Sequence, residues 1–565
     1  MAKITSSLRH RKSRFYLEAR IEDELKGKIL SFAYVVVLSV VVASAQAPIK
    51  LTVDTTHRKF LIPADFAGLG FETKSVAPNT YGVHGYFFTP KNTQLIMLFR
   101  NAGIKHIRVG GGTVDGSGQQ EHCVMPTPTH EDIDNLFEFA KLADVKVIYS
   151  VRLENLAACP NPNLAVEDAA IVQYIWSKYR ESVDSFSIGN EPDVREYHTK
   201  PSQILDPAIY ESTPGVAGSA YPSYIAEWKR FAEVIHKAVP EAKFSGPDTA
   251  VSGDSSFTPN SSNGVSWTEQ FTRDLKGSGL LAEALQHHYV WGSPGNTTPQ
   301  EAIDDMLSPA WDDGTSVGTQ PAKNGGRASF QPYPYVYSRV LGYVASSGVP
   351  YRMTEANDCL HGVTGASDGY ASALWALDYM HWWAAHGMAG VNFHNNPWIP
   401  TDTIVPDPNP CPASGCGNYR IAPKAYGIKA FNLGSHGYVE PIKISSAKKI
   451  NLTAYAVGTD HDLYVTVINK THTTTHDAVD AAVDIEASGA GSASAEYIEL
   501  TNGDAGNAAT MNATLGGAVI TNDVPWQGKW TPLGQIQSGK VKLTVHSATA
   551  VVVKLYWPQT SPAKR

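Results

Sequence analysis

Apolar positions along this chain switch between two periods. From about residue 66 to 437, short β-rich runs alternate with stretches whose apolar residues recur every three or four positions. The runs FAGLGFE (66–72), HIRVGGG (106–112), VKVIYSVRL (145–153), VDSFSIGNE (183–191), KFSGPD (243–248), LQHHYVW (285–291), PYRMTEAN (350–357) and AGVNFHN (389–395) are the predicted strands. Between them, Ile133, Leu136, Phe137 and Ala140 repeat at helical spacing behind a capping Thr129. In 222–240, Ile225, Trp228, Phe231, Ala232 and Ile235 do the same. Residues 372–387 are apolar nearly all round, which suits a helix enclosed between a sheet and further structure. Eight strands, each followed by a helix, predict an α/β chain with a (β/α)8 TIM barrel over 64–437. An open doubly wound sheet is the alternative, and the eightfold count favours closure.

From about residue 438 the helical period fades. NLTAYAVG, DLYVTVINKT, AEYIEL and KVKLTVHSATAVVVKLYW read as strands separated by turn residues, the texture of an accessory antiparallel β-sandwich. The lone strand IKLTVD (49–54) precedes the barrel and is expected to complete it, so that 46–63 and 438–565 form one domain.

The first 45 residues stand apart. A charged stretch to Lys28 is followed by the apolar run ILSFAYVVVLSVVVA (29–43) and by Ala43-Ser44-Ala45, the order of an export signal with its cleavage site. The run is shorter than the roughly 18–20 residues a membrane span needs; an uncleaved anchor is the alternative. The expectation is an exported protein, periplasmic or extracellular, with no stable membrane association once the leader is removed. The five cysteines then allow two bridges. Cys411 and Cys416 flank a Pro/Gly loop and are the first candidate pair, Cys123 and Cys159 the second, leaving Cys359 over.

The charge balance narrows the partners. With 46 basic and 54 acidic residues the net charge is −8, a poor match for gripping phosphate backbones, so nucleic acid is not expected. No Cys/His cluster has zinc-like spacing, and His287, His288 and His394 lie on separate or opposite strand faces, so no metal or other cofactor is expected. The glycines of 108–112 are not followed at once by a helix, which removes the context for dinucleotide binding. No Gly-x-Ser-x-Gly elbow occurs.

Two strand ends carry a carboxylate where a barrel builds its active site. Ser187-Ile188-Gly189-Asn190-Glu191-Pro192 closes the fourth predicted strand and Arg352-Met353-Thr354-Glu355-Ala356-Asn357 the seventh. Splitting an acetal between sugars needs one carboxyl group to protonate the leaving oxygen and a second to attack the anomeric carbon or activate water. Strands four and seven lie across a barrel mouth, so Glu191 and Glu355 are the candidate pair. Asn190, directly before one of them, is placed to hydrogen-bond a sugar 2-hydroxyl. Trp291, Trp311 and Trp398 are candidates either for stacking on sugar rings or for anchoring loops. Arg108 reads as an ion-pair partner inside the mouth.

The pattern resembles the clan of retaining (β/α)8 glycoside hydrolases and, more narrowly, glycoside hydrolase family 79, the β-glucuronidase and heparanase family. The matching stretches are GFE (70–72), RVGGGT (108–113), SIGNEPD (187–193), QHHY (286–289), TEAND (354–358), GVTG (362–365), SALWALDYMHWW (372–383), GVNFHN (390–395) and PKAYGIKAF (423–431). The resemblance implies that Glu191 is the acid/base and Glu355 the nucleophile. It implies that Tyr289 hydrogen-bonds Glu355 and that Glu72 binds ring hydroxyls. Gly362, through its backbone, and Tyr426, through its hydroxyl, would recognise a uronic acid carboxylate. The resulting expectation is a retaining, exo-acting β-glucuronidase acting on a glucuronic acid-containing glycan or glycoside. An endo-acting uronidase, a neutral-sugar β-glycosidase and a non-catalytic carbohydrate binder are the alternatives.

Overall fold

In the computed structural model the described residues are 47–80, 84–115, 128–153, 161–193, 221–250, 265–291, 297–309, 332–396, 399–406, 419–445, 450–472, 478–488, 493–507, 509–536 and 539–557. The predicted leader, Cys123, Cys159, Cys411, Cys416, Trp311 and Trp398 lie outside them, as does the side chain of Trp291. No described helix is long and apolar enough to cross a membrane.

All eight predicted barrel strands form. After β1 (Ile49–Asp54) come β2 (Ala67–Glu72), β3 (His106–Gly110), β4 (Lys146–Val151), β5 (Val183–Ile188), β6 (Phe244–Thr249), β7 (Leu281–Trp291), β8 (Tyr351–Cys359) and β9 (Gly390–His394). Strands β2 to β9 are parallel neighbours in chain order, and β9 closes the barrel on β2 with Ala67 opposite Val391. Most barrel strands are buried along their whole length because helices cover the outside and side chains fill the inside. The ladder is irregular at Val147/Ile148 and Phe244/Ser245, and three more irregularities occur at Pro247/Thr249, Gln286/His287 and Met353/Ala356. Such irregularities re-aim side chains, and these three gather on adjacent strands that carry the site.

The helices follow their sequence signals. His130–Ala143 begins at Thr129, whose side chain accepts from Asp132 N–H while the Asp132 carboxylate accepts from Thr129 N–H. Tyr221–Ala238 buries Trp228, Phe231 and Ile235. Helix Ala371–Ala385 is buried on nearly every side. Trp375 and Tyr379 pack on Phe393 of β9, while His381 stacks on Tyr455 of the C-terminal domain. Its one acid, Asp378, accepts from Thr453, Tyr455 and Lys470 of that domain. This buried carboxylate therefore has partners for both oxygens, which offsets the cost of removing it from water.

The C-terminal domain is two facing sheets. One is ordered Ile442–Ile444, β1, Ala481–Ser488, Lys540–Val545, and the other includes Leu452–Gly458, Asp462–Asn469, Thr549–Tyr556 and Ala493–Thr501. Leu51, Val53, Val483 and Ile485 from the first meet Ala456, Val465, Val467, Val551 and Val553 from the second in one apolar layer. The lone strand β1 pairs with Ile442–Ile444 and Ala481–Ser488 in the first sheet. It differs in one respect from an antiparallel sandwich, since it runs parallel to Ala481–Ser488 and antiparallel only to Ile442–Ile444. A strand arriving from the far end of the chain has no hairpin to impose an antiparallel partner.

Candidate active site

Side chains at the carboxyl ends of β3, β5, β6, β7, β8 and β9 converge in the barrel mouth. The turn after β5 aims Glu191. Gly189 takes φ +81 and Glu191 itself φ +46, so the chain reverses tightly before Pro192. A non-glycine residue in this region costs roughly 1–3 kcal/mol. Hydrogen bonds from Gly189 N–H to the Val151 carbonyl and from Glu191 N–H to the Asp248 carbonyl, both 2.9 Å, hold the turn. The Glu191 side chain is 21% exposed, that of Glu355 only 10%. One carboxylate is thus open to the mouth and the other is sunk into its wall.

Glu355 is gripped on both oxygens. The Tyr289 hydroxyl donates to Oε1 at 2.7 Å and Arg108 Nη1 donates to Oε2 at 2.9 Å. His287 and His394 approach Oε2 at 3.9 Å. Burial by itself would raise this carboxyl group, but the His394, His287 and Arg108 charges and the Tyr289 hydroxyl outweigh it and hold the group well below the ordinary range. Burial and the adjacent Glu355 charge push the Tyr289 phenol far up, so it stays a donor.

Alternation along β7 explains which neighbours take part. His287 and Tyr289, two residues apart, face the mouth. His288 faces outward, bonded through Nδ1 to the Tyr379 hydroxyl at 2.8 Å. The His287 imidazole lies between carboxylates, with Nδ1 3.2 Å from Glu191 Oε1 and Nε2 3.1 Å from Asp248 Oδ1. Burial opposes a charge there, yet Glu355, Asp248 and Glu191 prevail and lift its pKa to about 10. A carboxylate oxygen faces each ring nitrogen, an arrangement that favours the charged ring with both nitrogens donating.

Asp248, whose side chain is fully buried, accepts from Arg108 through Oδ2 and from Thr354 and His287 through Oδ1. Burial would raise its carboxyl; the Arg108 and His287 charges bring it down to about 2. Arg108 also donates to Asn190 Oδ1, so one guanidinium spans Glu355, Asn190 and Asp248. That planar fork is a geometry lysine cannot copy. The expected ion-pair role of Arg108 is met, and two of its partners lie directly in the site.

Among the described residues, one cluster has metal-ligand geometry: the relevant atoms of Glu191, His287 and Glu355 all lie within 4.8 Å of one another. Both His287 ring nitrogens already face carboxylate oxygens, Nδ1 that of Glu191 and Nε2 that of Asp248, which is the arrangement of a charge network. The same distance places carboxylate oxygens of Glu191 and Glu355 within 4.8 Å of each other.

The other predicted residues divide. Asn190 is in the site; its Oδ1 is used by Arg108 while its Nδ2 has no protein partner. Glu72 is in the mouth but engaged. Its Oε1 accepts from Gly112 N–H at 3.2 Å, and its Oε2 accepts from Thr113 N–H at 2.8 Å and Thr113 Oγ1 at 2.7 Å. It pins the loop after β3, a task that the expected role of binding ring hydroxyls did not include. Gly362, at φ +67, would drive a Cβ to 2.8 Å from both Pro400 and Thr401, so its visible role is close packing of two loops. Tyr426 joins no hydrogen bond of the central cluster; its hydroxyl accepts from Ile520 N–H at 2.9 Å, in the C-terminal domain. Among the described residues Cys359 is a buried free thiol.

Sequence reasoning did not single out Asp248, Thr354 or the imidazolium role of His287. Asp248 carried the same signal as the two chosen glutamates, an acid at a strand end. The i, i+2 spacing to Tyr289 was the available signal for His287.

No protein-family model matches the chain, and no curated protein matches its sequence. Solved structures do match. A 4-O-α-L-rhamnosyl-β-D-glucuronidase from Fusarium oxysporum is similar with a TM-score of 0.59 at 14% identity, over 89% of this chain and 99% of that one. A family 51 arabinofuranosidase from Xanthomonas axonopodis pv. citri matches with a TM-score of 0.55 at 14% identity, over 90% and 99%. A family 44 xyloglucanase from Paenibacillus polymyxa matches with a TM-score of 0.54 at 12% identity, again over 90% and 99%. The chain shares the fold of these structures, a closed (β/α)8 barrel joined to a β-sheet domain.

Proposed function

We propose that this protein is an exported, retaining, exo-acting β-glycosidase whose substrate carries a terminal β-linked glucuronic acid. The observation that carries the reading is the spacing of Glu191 and Glu355, with carboxylate oxygens within 4.8 Å. Retaining glycosidases hold their carboxyl groups about 5–5.5 Å apart, whereas inverting ones need roughly 6.5–9.5 Å to admit a water. The surroundings support a division of labour. Glu355, ionised and aimed by Tyr289 and Arg108, attacks the anomeric carbon as Glu191 protonates the departing oxygen. The C–O bond to the leaving group breaks as the bond to Glu355 forms. Glu191, now a carboxylate, takes a proton from water, and the resulting hydroxide character releases the sugar with its β configuration. Asn190, directly before the acid, is the residue assigned to the 2-hydroxyl.

The uronic acid preference draws on the family 79 motifs and on the glucuronidase among the structural neighbours. A neutral-sugar preference is the second reading, favoured by the engagement of the Tyr426 hydroxyl with Ile520. Turnover of the nitrophenyl β-glucuronide, β-glucoside, β-galactoside and β-xyloside separates them. The glucuronide is expected to be preferred by at least about tenfold in kcat/KM, which corresponds to about 1.4 kcal/mol. Preference for a neutral sugar would remove the uronic acid reading and leave the two-glutamate mechanism, and no turnover of any would sink both.

A further inference from the structure

We propose that Asp248 is the positioning residue of this site, a carboxylate out of reach of the sugar that holds both working glutamates through two different cations. Its catalytic meaning rests on the glycosidase reading above. The Asp248 side chain is fully buried, so it does not meet substrate. One intervening side chain nevertheless links its carboxylate to each working group. Through Oδ1 it holds His287, which donates to Glu191. Through Oδ2 it holds Arg108, which donates to Glu355 and Asn190. Its carbonyl accepts the N–H of Glu191 at 2.9 Å, and its Oδ1 also accepts from Thr354, the residue preceding Glu355. Asp248 adopts φ +62, so its backbone as well as its side chain is bent to this task.

Charge arithmetic gives the same answer. Arg108 and His287 bring two positive charges into a buried space, and Glu355 supplies one negative charge. Asp248 supplies the second. Without it the two cations would share Glu355 as their buried carboxylate, and the imidazolium would lose its nearest fully buried anion. The groups facing His287 are Glu191 from the turn after β5, Asp248 from β6 and Glu355 from β8, with Arg108 of β3 beyond Asp248 and Tyr289 two residues along β7. A plain structural ion pair looks different. At Arg352, a buried guanidinium meets Glu283 at 3.1 Å, and none of its hydrogen bonds leads to either working glutamate.

The test starts with the unaltered protein, in which ¹⁵N-histidine NMR reads His287 directly, assigned by the loss of its signals in His287→Gln. Both ring nitrogens are expected to stay protonated from pH 5 to pH 8.5; a neutral ring in that range overturns the proposal. Asp248→Asn keeps the shape but turns an amide toward Arg108. It is expected to bring the His287 titration into the measured window. It should also lower kcat/KM on the order of 10²-fold, with the larger loss on an alkyl glycoside that needs acid assistance than on a dinitrophenyl glycoside that does not. A loss equal for both leaving groups, with His287 unchanged, would mean a merely structural role and overturn the proposal. The NMR measurement needs neither turnover nor a folded variant at position 248. An inactive protein with a cationic His287 therefore sinks the proposed function, and an active one with a neutral His287 sinks this inference alone.

Discussion

Replacing Tyr289 by Phe removes one oxygen and leaves the ring that packs beside Glu355. The lost group is a hydroxyl donating to Glu355 Oε1 at 2.7 Å in a partly buried setting. A hydrogen bond to a charged group contributes about 1.5–3 kcal/mol. At 1.36 kcal/mol per decade, kcat/KM should fall roughly 10- to 150-fold if the bond is needed to aim the nucleophile. The same free energy appears in the pH profile. Tyr289 is among the groups that hold Glu355 below its ordinary range, so removing it raises the pH at which Glu355 becomes protonated. The acid limb of kcat/KM should move toward neutral by about one to two units. Arg108 still holds Oε2 at 2.9 Å, so the limb is not expected to rise further. The assay is kcat/KM on a nitrophenyl glycoside measured in seconds-long pH jumps, which separates ionisation from acid unfolding. A variant within threefold of the unaltered protein, with the acid limb unmoved, would refute the reasoning.

Two further outcomes follow from the site. His287 has a folded pKa of about 10 against an ordinary value of 6.5, so its contribution to stability is complete below about pH 6.5 and is lost as pH rises through 10. The thermal midpoint should fall across that window, by up to about 5 kcal/mol of unfolding free energy, and His287→Gln should flatten the fall; equal slopes would contradict the charged assignment. Glu72→Gln leaves one acceptor oxygen where two now accept from Gly112 N–H, Thr113 N–H and Thr113 Oγ1, and should cost about 1–3 kcal/mol in thermal or denaturant unfolding. A raised KM with unchanged stability would instead return Glu72 to the role of a sugar ligand.

Local pattern carried the barrel, while the site's wiring depended on closure. Each barrel strand is a short apolar run bounded by turn residues, so Ile107 and Val109 or Val147 and Val151 announce themselves without knowledge of their neighbours. Glu191 and Glu355 were legible because strand ends in a barrel point to one mouth. Tyr289 was legible by resemblance and meets its expected partner. The Arg108–Asp248–His287 lattice was not, because it requires knowing that β3, β6 and β7 bring those side chains to one depth inside a closed ring. Glu72 was expected to bind ring hydroxyls, since nothing local shows that the Gly111–Thr113 loop folds back onto it. Tyr426 finds Ile520, 94 residues later in the other domain, a contact with no short-range signature. The left-handed φ of Glu191 was equally silent, because a glutamate before a proline favours extended backbone and only the Asp248 carbonyl and the turn at Gly189 impose otherwise.

Covalent trapping puts the central claim to its most direct trial. The protein is incubated with activated 2-deoxy-2-fluoro β-glycosides, the glucuronide and the neutral sugars together, and digested for peptide mass spectrometry. Fluorine at carbon 2 slows both steps by destabilising positive charge at the anomeric carbon, and the activated leaving group restores the first. The predicted result is one sugar ester, located on Glu355, formed by the unaltered protein and absent from Glu355→Gln. An ester on any other side chain, or turnover with inversion and no ester at all, would contradict the account.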